Sequence, residues 1–363
     1  MKKRNLYQII KEWEYWPFHW LYGPVYIIFV WLVIRSRFRF FFSASNPTIY
    51  SGGFIMESKK EVYDLLPEGK YPATLYYEPG IAAEALLMDA RAVGIGFPMV
   101  LKPDIGGRGR AVVIARNEEE LEYYVAQYSL PFLVQSWVSY EQEAGIFFVK
   151  HPDAEAGIVT GVVGKSFGAI TGDGTKTIRQ LIESDDRLSL YAESLFPQVG
   201  DRLEEVLPNG MKEVLVPFGN HARGTAFYNW NHLIDDRLHA WANRLADRIE
   251  GFHYGRLDIR FDNWDDMLKG ENFSIIELNG SGSEPTHIYD PSKSVFYAWK
   301  EIVRHWFMLW RVSRANYERG ASYMSLSEGR QMFKACNTYD ARLDALHRQL
   351  LVKPQFQTIL EEV

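Results

Sequence analysis

The sequence predicts an α+β protein, because short strands and helices are mixed in it without a regular strand–helix–strand alternation. Apolar runs of strand length are bounded by Gly or Pro, and helical patterns lie among them. Charged residues are 24% and hydrophobic residues 47% of the 363 residues, which excludes a disordered chain and a polytopic membrane protein. The length predicts two or three modules rather than one minimal domain.

The apolar periodicity places the individual elements. Runs of strand type cover 97–102, 111–115, 132–138, 144–149, 157–163, 212–217, 255–261 and 273–278. Helical patterns cover 54–66, a segment opened by Asn117 and three glutamates, and then 176–184, 235–250 and 292–311. The sequence predicts a main domain over residues 47–310 and a helical C-terminal tail of mixed charge over residues 311–363.

The sequence predicts that residues 1–46 form a separate N-terminal helical segment, which is both basic and aromatic. Residues 1–40 hold seven basic and two acidic side chains, whereas the whole chain has a net charge of −6. The apolar run from Phe18 to Ile34 is interrupted by Gly23-Pro24 and would reach about 25 Å as a helix, short for a bilayer core of about 30 Å.

Two interpretations of this segment stay open. In one, residues 13–42 lie against the cytoplasmic face of a membrane, with Trp and Tyr at the interface and Arg at anionic head groups. In the other, a buried helix packs on the rest of the protein or on a second subunit of a homodimer.

The remaining composition restricts the compartment and the partners. The single cysteine, Cys336, cannot form an internal disulfide or build a zinc site alone, which predicts a reducing, cytoplasmic location. The protein is expected to be either free in the cytoplasm or peripheral on the inner face of the membrane. No repeat, low-complexity tract or basic stripe follows the N-terminus, so nucleic acid is not an expected partner.

A first candidate site follows the apolar strand of 97–102. Lys102 ends that strand, and the glycines of the next turn are Gly106, Gly107 and Gly109. Glycines let backbone amides approach phosphate oxygens, and a lysine supplies a positive charge for the same group. The alternative is a glycine-rich hairpin with a solvated lysine.

A second candidate site combines two predicted strands. Arg256 and Asp258 alternate on one strand, and Glu277 and Asn279 alternate on the next, so each pair shares a face. Carboxylate and amide oxygens suit Mg²⁺, and an arginine on that face can neutralise phosphoryl oxygens or an oxyanion. The alternative is an exposed strand face with salt bridges.

Taken in this order, the motifs resemble the ATP-grasp superfamily, which includes D-alanine–D-alanine ligase and other carboxylate–amine ligases. Lys59 ahead of Tyr71-Pro72-Ala73-Thr74, Lys102 with its glycines, a hinge at 134–138, Arg-x-Asp and Glu-x-Asn carry the resemblance. It implies the ATP-grasp fold, in which two α+β lobes enclose the nucleotide, and ATP with Mg²⁺ or Mn²⁺ as cofactors. Members carry a further α/β domain before the first lysine, whereas the residues that precede Lys59 in this sequence include the aromatic segment.

The resemblance also implies roles for single residues. The cofactor-binding residues are Lys59, Lys102, Gly106, Gly107, Gly109, Gln135, Val138 and Glu143, with Glu141 as the alternative ribose ligand. The metal ligands are Asp258, Glu277 and Asn279, and the residues that act on the transferred phosphoryl group are Arg256, Arg223 and His221. The substrate residues are Ser283, Glu284 and His287. A turn or capping role is the alternative for His221 and Arg223, and a buried core histidine is the alternative for His287.

One more segment, Gly172-Asp173-Gly174, resembles a stretch of cyanophycin-synthetase-like ATP-grasp proteins. A tight turn, with Thr175 or Thr177 capping the next helix, is the structural alternative to a ligand role.

The predicted function is an ATP- and magnesium-dependent ligase that joins a small-molecule carboxylate to an amine through an acyl-phosphate, with both substrates unidentified. The alternative is a membrane-associated ATP-binding module without ligase turnover, which serves as a partner or lipid-binding scaffold.

Overall fold

The computed structural model describes residues 13–37, 40–216 and 225–350. Within them the α-helices are α1 (Phe18–Tyr22), α2 (Tyr26–Arg35), α3 (Lys59–Leu65), α4 (Ala83–Ala92), α5 (Glu118–Gln127), α6 (Ile178–Ser184), α7 (Ala192–Val199), α8 (Asp236–Ala246), α9 (Trp264–Lys269), α10 (Val295–Glu318) and α11 (Leu326–Leu350). None of the described helices is long and apolar enough to cross a membrane.

The strands form three separate sheets. They are β1 (Thr74–Tyr77), β2 (Met99–Pro103), β3 (Val113–Ala115), β4 (Phe132–Ser136), β5 (Gln142–Val149), β6 (Ile158–Ser166), β7 (Gly168–Thr171), β8 (Lys212–Val216), β9 (Ala226–Asn229), β10 (Tyr254–Phe261) and β11 (Phe273–Asn279). The sheet orders are β1-β4-β2-β3, β11-β10-β5-β6-β9 and β7-β8. Antiparallel pairing of β10 with β5 and β11, and of β4 with β1 and β2, confirms the α+β class.

The described residues divide into two compact units. Unit 1 comprises those up to Ala73 together with Val138–Lys165 and Phe227–Tyr339, and unit 2 comprises those of Thr74–Trp137, Ser166–Ala226 and from Asp340 onward. The division does not follow the predicted boundaries at residues 46 and 310. In unit 1, the N-terminal segment belongs to the same compact body as the five-stranded sheet.

The core of unit 1 explains why the N-terminal segment is folded onto it. Leu32, Phe41 and Phe42 pack with side chains of the five-stranded sheet and of α10, namely Phe147, Val149, Tyr254, Leu309 and Val312. Gly23-Pro24 separates α1 from α2 as predicted, and Leu21, Tyr22 and Val25 pack with Ile288, Ala298 and Ile302. One side of the segment is therefore buried on its own chain.

Unit 2 contains the four-stranded sheet and the small β7-β8 sheet. A separate apolar core includes Ile170, Ile178 and Ile182 with Leu188 and Leu195. The C-terminal half of α11 is held by Arg110, which pairs with Asp340 at 2.6 Å and Asp344 at 3.0 Å.

Local capping follows the sequence signals. Asn117 caps α5, and Thr177 and Gln180 form a capping box at the start of α6, which confirms the capping role considered for Thr177. Asp173 accepts the amides of Thr175 and Lys176 at 2.9 and 2.7 Å, and these bonds lower its pKa to about 2. The Gly-Asp-Gly segment therefore forms a turn that leads into α6.

Several elements differ from the prediction. The helix predicted over 54–66 begins only at Lys59, because Ser58 accepts the amide of Glu61 and caps it. β1, β7 and β9 were not predicted, since four residues each are too short to show an alternation. The predicted C-terminal tail contains the end of α10 and all of α11, which are helical, and a non-helical connection over 319–325.

Candidate active site

The pairing of β10 with β11 brings the predicted metal ligands together. Asp258 lies opposite Glu277 and Arg256 lies opposite Asn279 in this antiparallel pair. The Asn279 amide nitrogen is 3.3 Å from Asp258 Oδ2 and 3.4 Å from Glu277 Oε2. Two carboxylates and one amide thus share one face of the five-stranded sheet.

Two cations hold Asp258 in this arrangement. Arg256 donates from Nε and Nη2 to the two Asp258 oxygens at 2.8 and 3.0 Å, and Lys165 Nζ lies 3.3 Å from Oδ1. Burial alone would raise the pKa of Asp258, but the charges of Arg256 and Lys165 outweigh it and lower that pKa. The carboxylate is therefore ionised.

Glu277 is paired with the predicted phosphate lysine. Lys59 Nζ lies 3.1 Å from Glu277 Oε1, and both side chains line a small pocket with Glu57, Val62, Tyr63 and Leu278. Burial would lower the pKa of Lys59, but Glu277 and Glu57 raise it, so the lysine is charged.

Glu57 is a residue of this pocket that the motifs did not identify. Its Oε2 is buried without a hydrogen-bond partner, and burial raises its pKa. An acidic residue two positions before Lys59 is the only signal that the sequence offered for it.

Lys165 was also missed, because the predicted strand ended at 163 whereas β6 extends to Ser166. Its ammonium group is buried and lies 2.8 Å from Glu143 Oε1 in addition to its contact with Asp258. Burial would lower the pKa of Lys165, but Asp258 and Glu143 raise it, so Lys165 carries a positive charge next to the carboxylate set.

Glu143 is enclosed by cations in unit 1. It is only 4% exposed, and besides Lys165 it accepts from Arg260 Nε at 3.1 Å. Arg260 also donates from Nη1 to the carbonyl of Val138 at 3.1 Å. The ribose role of Glu143 and the adenine role of Val138 stay predictions, and Glu141 is more exposed than Glu143.

A glycine makes room for these side chains. Gly145 of β5 lies opposite Asp258, and a Cβ atom there would be 2.9 Å from Asp258 Oδ1 and 3.0 Å from Arg256 Cδ. Any side chain at this position would displace the Arg256–Asp258 pair.

The loop after β11 is tied to the same arginine. Arg256 Nη1 donates to the carbonyl of Glu284 at 3.0 Å, and the Glu284 carboxylate accepts from the hydroxyls of Tyr22 and Tyr289. Ser283 donates to the carbonyl of Gly280 at 2.6 Å. Glu284 is thus held within reach of the Arg256–Asp258 pair by a tyrosine of α1.

His287 occupies a different environment from Ser283 and Glu284. It is 1% exposed, lies against Gly161, and its Nε2 is 3.6 Å from Glu301 Oε2. This position corresponds to the alternative of a buried core histidine.

In unit 2, Lys102 is buried at the end of β2, and the predicted glycine-rich turn follows it. Gly106 and Gly109 have φ values of 132° and 66°, in the region that favours glycine. The side chain of Gln135 donates to Thr74 Oγ1 at 2.6 Å, so it is engaged within its own sheet. The phosphate roles of Lys102, Gly106, Gly107 and Gly109 stay predictions, and His221 and Arg223 lie outside the described residues.

The donor set of unit 1 fits a hard divalent cation. No cluster of three or more His, Cys, Asp or Glu side chains suited to a metal occurs in the described part of the chain. Mg²⁺ needs only one or two protein carboxylates when phosphate oxygens and water complete its ligands. Asp258, Glu277 and the amide of Asn279 match that requirement.

Several solved structures are similar to the chain. The VanG D-Ala:D-Ser ligase from Enterococcus faecalis is 12% identical over 72% of this chain and 62% of that chain, with a TM-score of 0.41. The D-alanine–D-alanine ligase from Bacillus anthracis is 12% identical over 72% of this chain and 69% of that chain, with a TM-score of 0.40. The ATP-grasp ligase PsnB, complexed with minimal precursor, is 14% identical over 68% of this chain and 59% of that chain, with a TM-score of 0.37.

The sequence identity to these structures is 12–14%. The chain spans 62% of the length of the first of them. No protein-family model matches the chain, and the comparison with curated proteins gives no match.

Proposed function

We propose that the chain is an ATP- and magnesium-dependent ligase of the ATP-grasp superfamily that joins a carboxylate to an amine. The observation that carries this proposal is the register of β10 and β11, which sets Asp258 opposite Glu277 and Arg256 opposite Asn279. A mere salt-bridged strand face does not require two carboxylates and an amide converging beside Lys59 and Lys165.

The proposed reaction has two steps. An oxygen of the substrate carboxylate bonds to the γ-phosphorus of ATP, and the bond from that phosphorus to the β,γ-bridging oxygen breaks and releases ADP. The amine nitrogen then attacks the acyl carbon, loses a proton, and inorganic phosphate leaves. The protein contributes position and charge to both steps rather than a nucleophile.

Asp258, Glu277 and Asn279 would hold Mg²⁺ or Mn²⁺ in this proposal. When bound, the cation would neutralise charge on the β- and γ-phosphates of the nucleotide. Asp258 is suited to this role because its pKa is lowered, so it binds without first losing a proton.

The cations of unit 1 have separate proposed roles. Lys59 exchanges its contact with Glu277 for a phosphate oxygen, and Arg256 stabilises charge on the phosphoryl group and on the tetrahedral intermediate. Lys165 holds Glu143 and Asp258 in position and helps to keep Asp258 ionised. Lys102 and the glycines of unit 2 form a second group of the type that binds phosphate.

Glu284 is the proposed contact for the amine substrate. Its carboxylate accepts two tyrosine hydroxyls and its backbone carbonyl accepts from Arg256, which supports a fixed acceptor for a cationic ammonium group. Ser283 lies next to it, and its hydroxyl would bind a substrate carboxylate by giving up its bond to the carbonyl of Gly280.

The test is ADP release from ATP and Mg²⁺ with pooled amino acids and dipeptides, using the full chain. We expect turnover in the wild type and a loss of at least about 100-fold in the Asp258→Asn, Glu277→Gln double variant. The matched control is Asp265→Asn with Glu271→Gln, two acidic residues of the connection between the same strands. Turnover that survives the first double variant contradicts the ligase proposal.

The second candidate is an ATP-binding module without turnover that serves as a scaffold. It is favoured if the wild type binds Mg²⁺ and ATP but releases no ADP with any substrate pool.

A further inference from the structure

The N-terminal segment has an apolar face that is not buried on its own chain. Along α2 the exposed side chains Tyr26, Ile27, Val30, Trp31 and Ile34 follow a helical spacing, so they lie on one side of the helix. Ile27 is 75% exposed, and Phe18 and Trp20 of α1 are 52% and 55% exposed. We refer to these seven residues as the outer face.

The outer face is held in place by the opposite side of the same segment. Leu32 is fully buried against α10, and Leu21 and Tyr22 are buried in the second cluster of unit 1. Trp31 contacts Phe307 of α10 at a ring distance of 6.0 Å, so α10 adds to the aromatic surface. The face is therefore a preformed part of unit 1.

The charged side chains of the chain segment around the outer face are all basic. Residues 15–56 contain no Asp or Glu, whereas they contain Arg35, Arg37 and Arg39. The Arg35 guanidinium lies 5.2 Å from the ring of Trp31 and 5.7 Å from that of Trp310. A cation is thus stacked at the end of the apolar stripe.

The adjoining helix extends this positive charge. Arg311 is exposed one turn after Phe307 on α10 and therefore lies on the same side of that helix. Arg314 stacks on Trp310 but pairs with Glu318 at 2.8 Å. Among the ion pairs seen between described residues, none involves Arg35, Arg37 or Arg311, so these three carry the surplus charge.

We propose that the outer face docks the protein on a lipid bilayer surface that contains anionic head groups. The ten residues of α2 extend about 15 Å, half of a bilayer core of about 30 Å, so α2 lies in the plane of the interface. Trp and Tyr prefer that interface, aliphatic side chains enter the acyl boundary, and Arg meets anionic phosphate.

A second copy of the chain is a poorer occupant of the same face. A two-fold symmetric contact uses the same patch on both copies, so the positive charge of Arg35, Arg37 and Arg311 would have to be compensated from within that patch. Residues 15–56 offer no carboxylate to compensate it. Anionic lipid supplies the missing charge.

The test is co-sedimentation of the full-length protein with large unilamellar vesicles, either pure phosphatidylcholine or phosphatidylcholine with one quarter phosphatidylglycerol. We expect binding to the anionic vesicles at least about tenfold tighter than to the neutral ones, and weaker binding at high salt. Replacing Arg37 and Arg311 by Gln lowers the anionic preference by roughly fivefold for each cation removed.

An apolar variant and a matched control complete the design. Ile27→Ser, Trp31→Ser and Ile34→Ser together should reduce vesicle binding by at least about tenfold, because these side chains supply the buried apolar area. The control is Met88→Ser, Val93→Ser and Ile158→Ser, which are also exposed apolar residues, at 71%, 48% and 48%. Circular dichroism verifies that both variants are folded.

Three outcomes would overturn the proposal. They are equal binding to neutral and anionic vesicles, loss of binding in the control variant to the same extent, and no vesicle binding by a wild-type dimer that the apolar variant converts to a monomer. The last result, measured by sedimentation velocity, assigns the face to a second copy. None of these results depends on turnover, so the docking proposal and the ligase proposal can fail separately.

Discussion

Gly145 is a residue whose small size is required beside Asp258. A Cβ atom there would be 2.8 Å from Val163 Cγ1 and 2.9 Å from Asp258 Oδ1, closer than real Cβ contacts. Gly145→Ala should therefore shift the Arg256–Asp258 pair and destabilise the protein by about 1–3 kcal/mol. Chemical denaturation measures the change.

Gly96→Ala is the matched control, because a Cβ atom at Gly96 meets nothing within 4 Å. If both variants lose the same stability, the close approach at Gly145 is not the cause.

Lys165 should matter more for stability than its position at the end of a strand suggests. Lys165→Gln leaves the buried Glu143 and Asp258 with one fewer cationic partner each, so we expect a loss of about 3 kcal/mol in the free energy of unfolding. Lys269→Gln removes an exposed ion pair with Asp266 and should cost less than about 1 kcal/mol. Urea unfolding of both variants measures the two losses of stability. Equal losses would contradict a stabilising role for the buried cluster of Lys165, Glu143 and Asp258.

His305 predicts a pH dependence of folding. Its Nε2 is 2.9 Å from Thr160 Oγ1, its Nδ1 is 2.8 Å from the carbonyl of Glu301, and burial lowers its pKa to about 4. The neighbouring charged and titratable groups are Glu301, whose pKa is lowered to about 2, Arg304 and His287.

The sign follows from the lowered pKa. Above pH 6.5 His305 is neutral in both states, and below it the unfolded chain binds the proton first, so stability falls until about pH 4. Between pH 7 and pH 5 we expect a loss on the order of 2 kcal/mol, measured by urea unfolding. His305→Gln should remove that part of the pH dependence, and an unchanged pH profile in the variant would refute the assignment.

At the scale of elements, α1 contributes to the candidate site through one hydroxyl group. Tyr22 donates to Glu284, and burial together with Glu284 raises the pKa of Tyr22, so it remains a donor. Tyr22→Phe keeps the ring and removes the bond, which should cost about 1–2 kcal/mol of stability. Under the ligase proposal, KM for the amine should rise more than kcat falls.

Tyr26→Phe is the control for Tyr22→Phe, because Tyr26 is 48% exposed on α2. Calorimetric unfolding and steady-state kinetics of both variants separate the two residues. A Tyr22→Phe protein that behaves like Tyr26→Phe would show that the Tyr22 hydroxyl contributes nothing to the loop.

Local signals were sufficient for the elements with long patterns or strong caps. Gly23-Pro24 separated two helices, Asn117 and Thr177 capped two others, and the strands that became β10 and β11 were placed within a residue or so. The short strands β1, β7 and β9 had no detectable period. Their formation depends on partners elsewhere in the chain, such as the pairing of Thr74 with Gln135.

At the scale of the whole molecule, the site residues that could not be predicted from the sequence are those positioned by contacts between distant parts of the chain. Alternation within single strands predicted that Asp258 and Glu277 each face one side, but their pairing depends on the register of β10 and β11. Lys165 and Glu57 enter the site only because β6 and the segment before α3 are folded beside that pair. No local pattern carries such information.

The packing of the aromatic N-terminal segment also becomes clear only at this scale. One side of α1 and α2 belongs to the core of unit 1 with side chains about 280 residues later, as the bond from Trp299 to the carbonyl of Leu21 illustrates. The other side remains exposed. The packed side agrees with the interpretation of a helix buried on the rest of the protein, whereas membrane contact of the exposed side stays a proposal.

The central claim is that Asp258, Glu277 and Asn279 bind a nucleotide together with a divalent cation. Isothermal titration of the full-length protein with a non-hydrolysable ATP analogue, with and without Mg²⁺, tests it most directly. We expect metal-dependent binding in the wild type and in Asp265→Asn with Glu271→Gln, and binding weakened at least about tenfold in Asp258→Asn with Glu277→Gln. Equal, metal-independent affinity in all three folded proteins would contradict it.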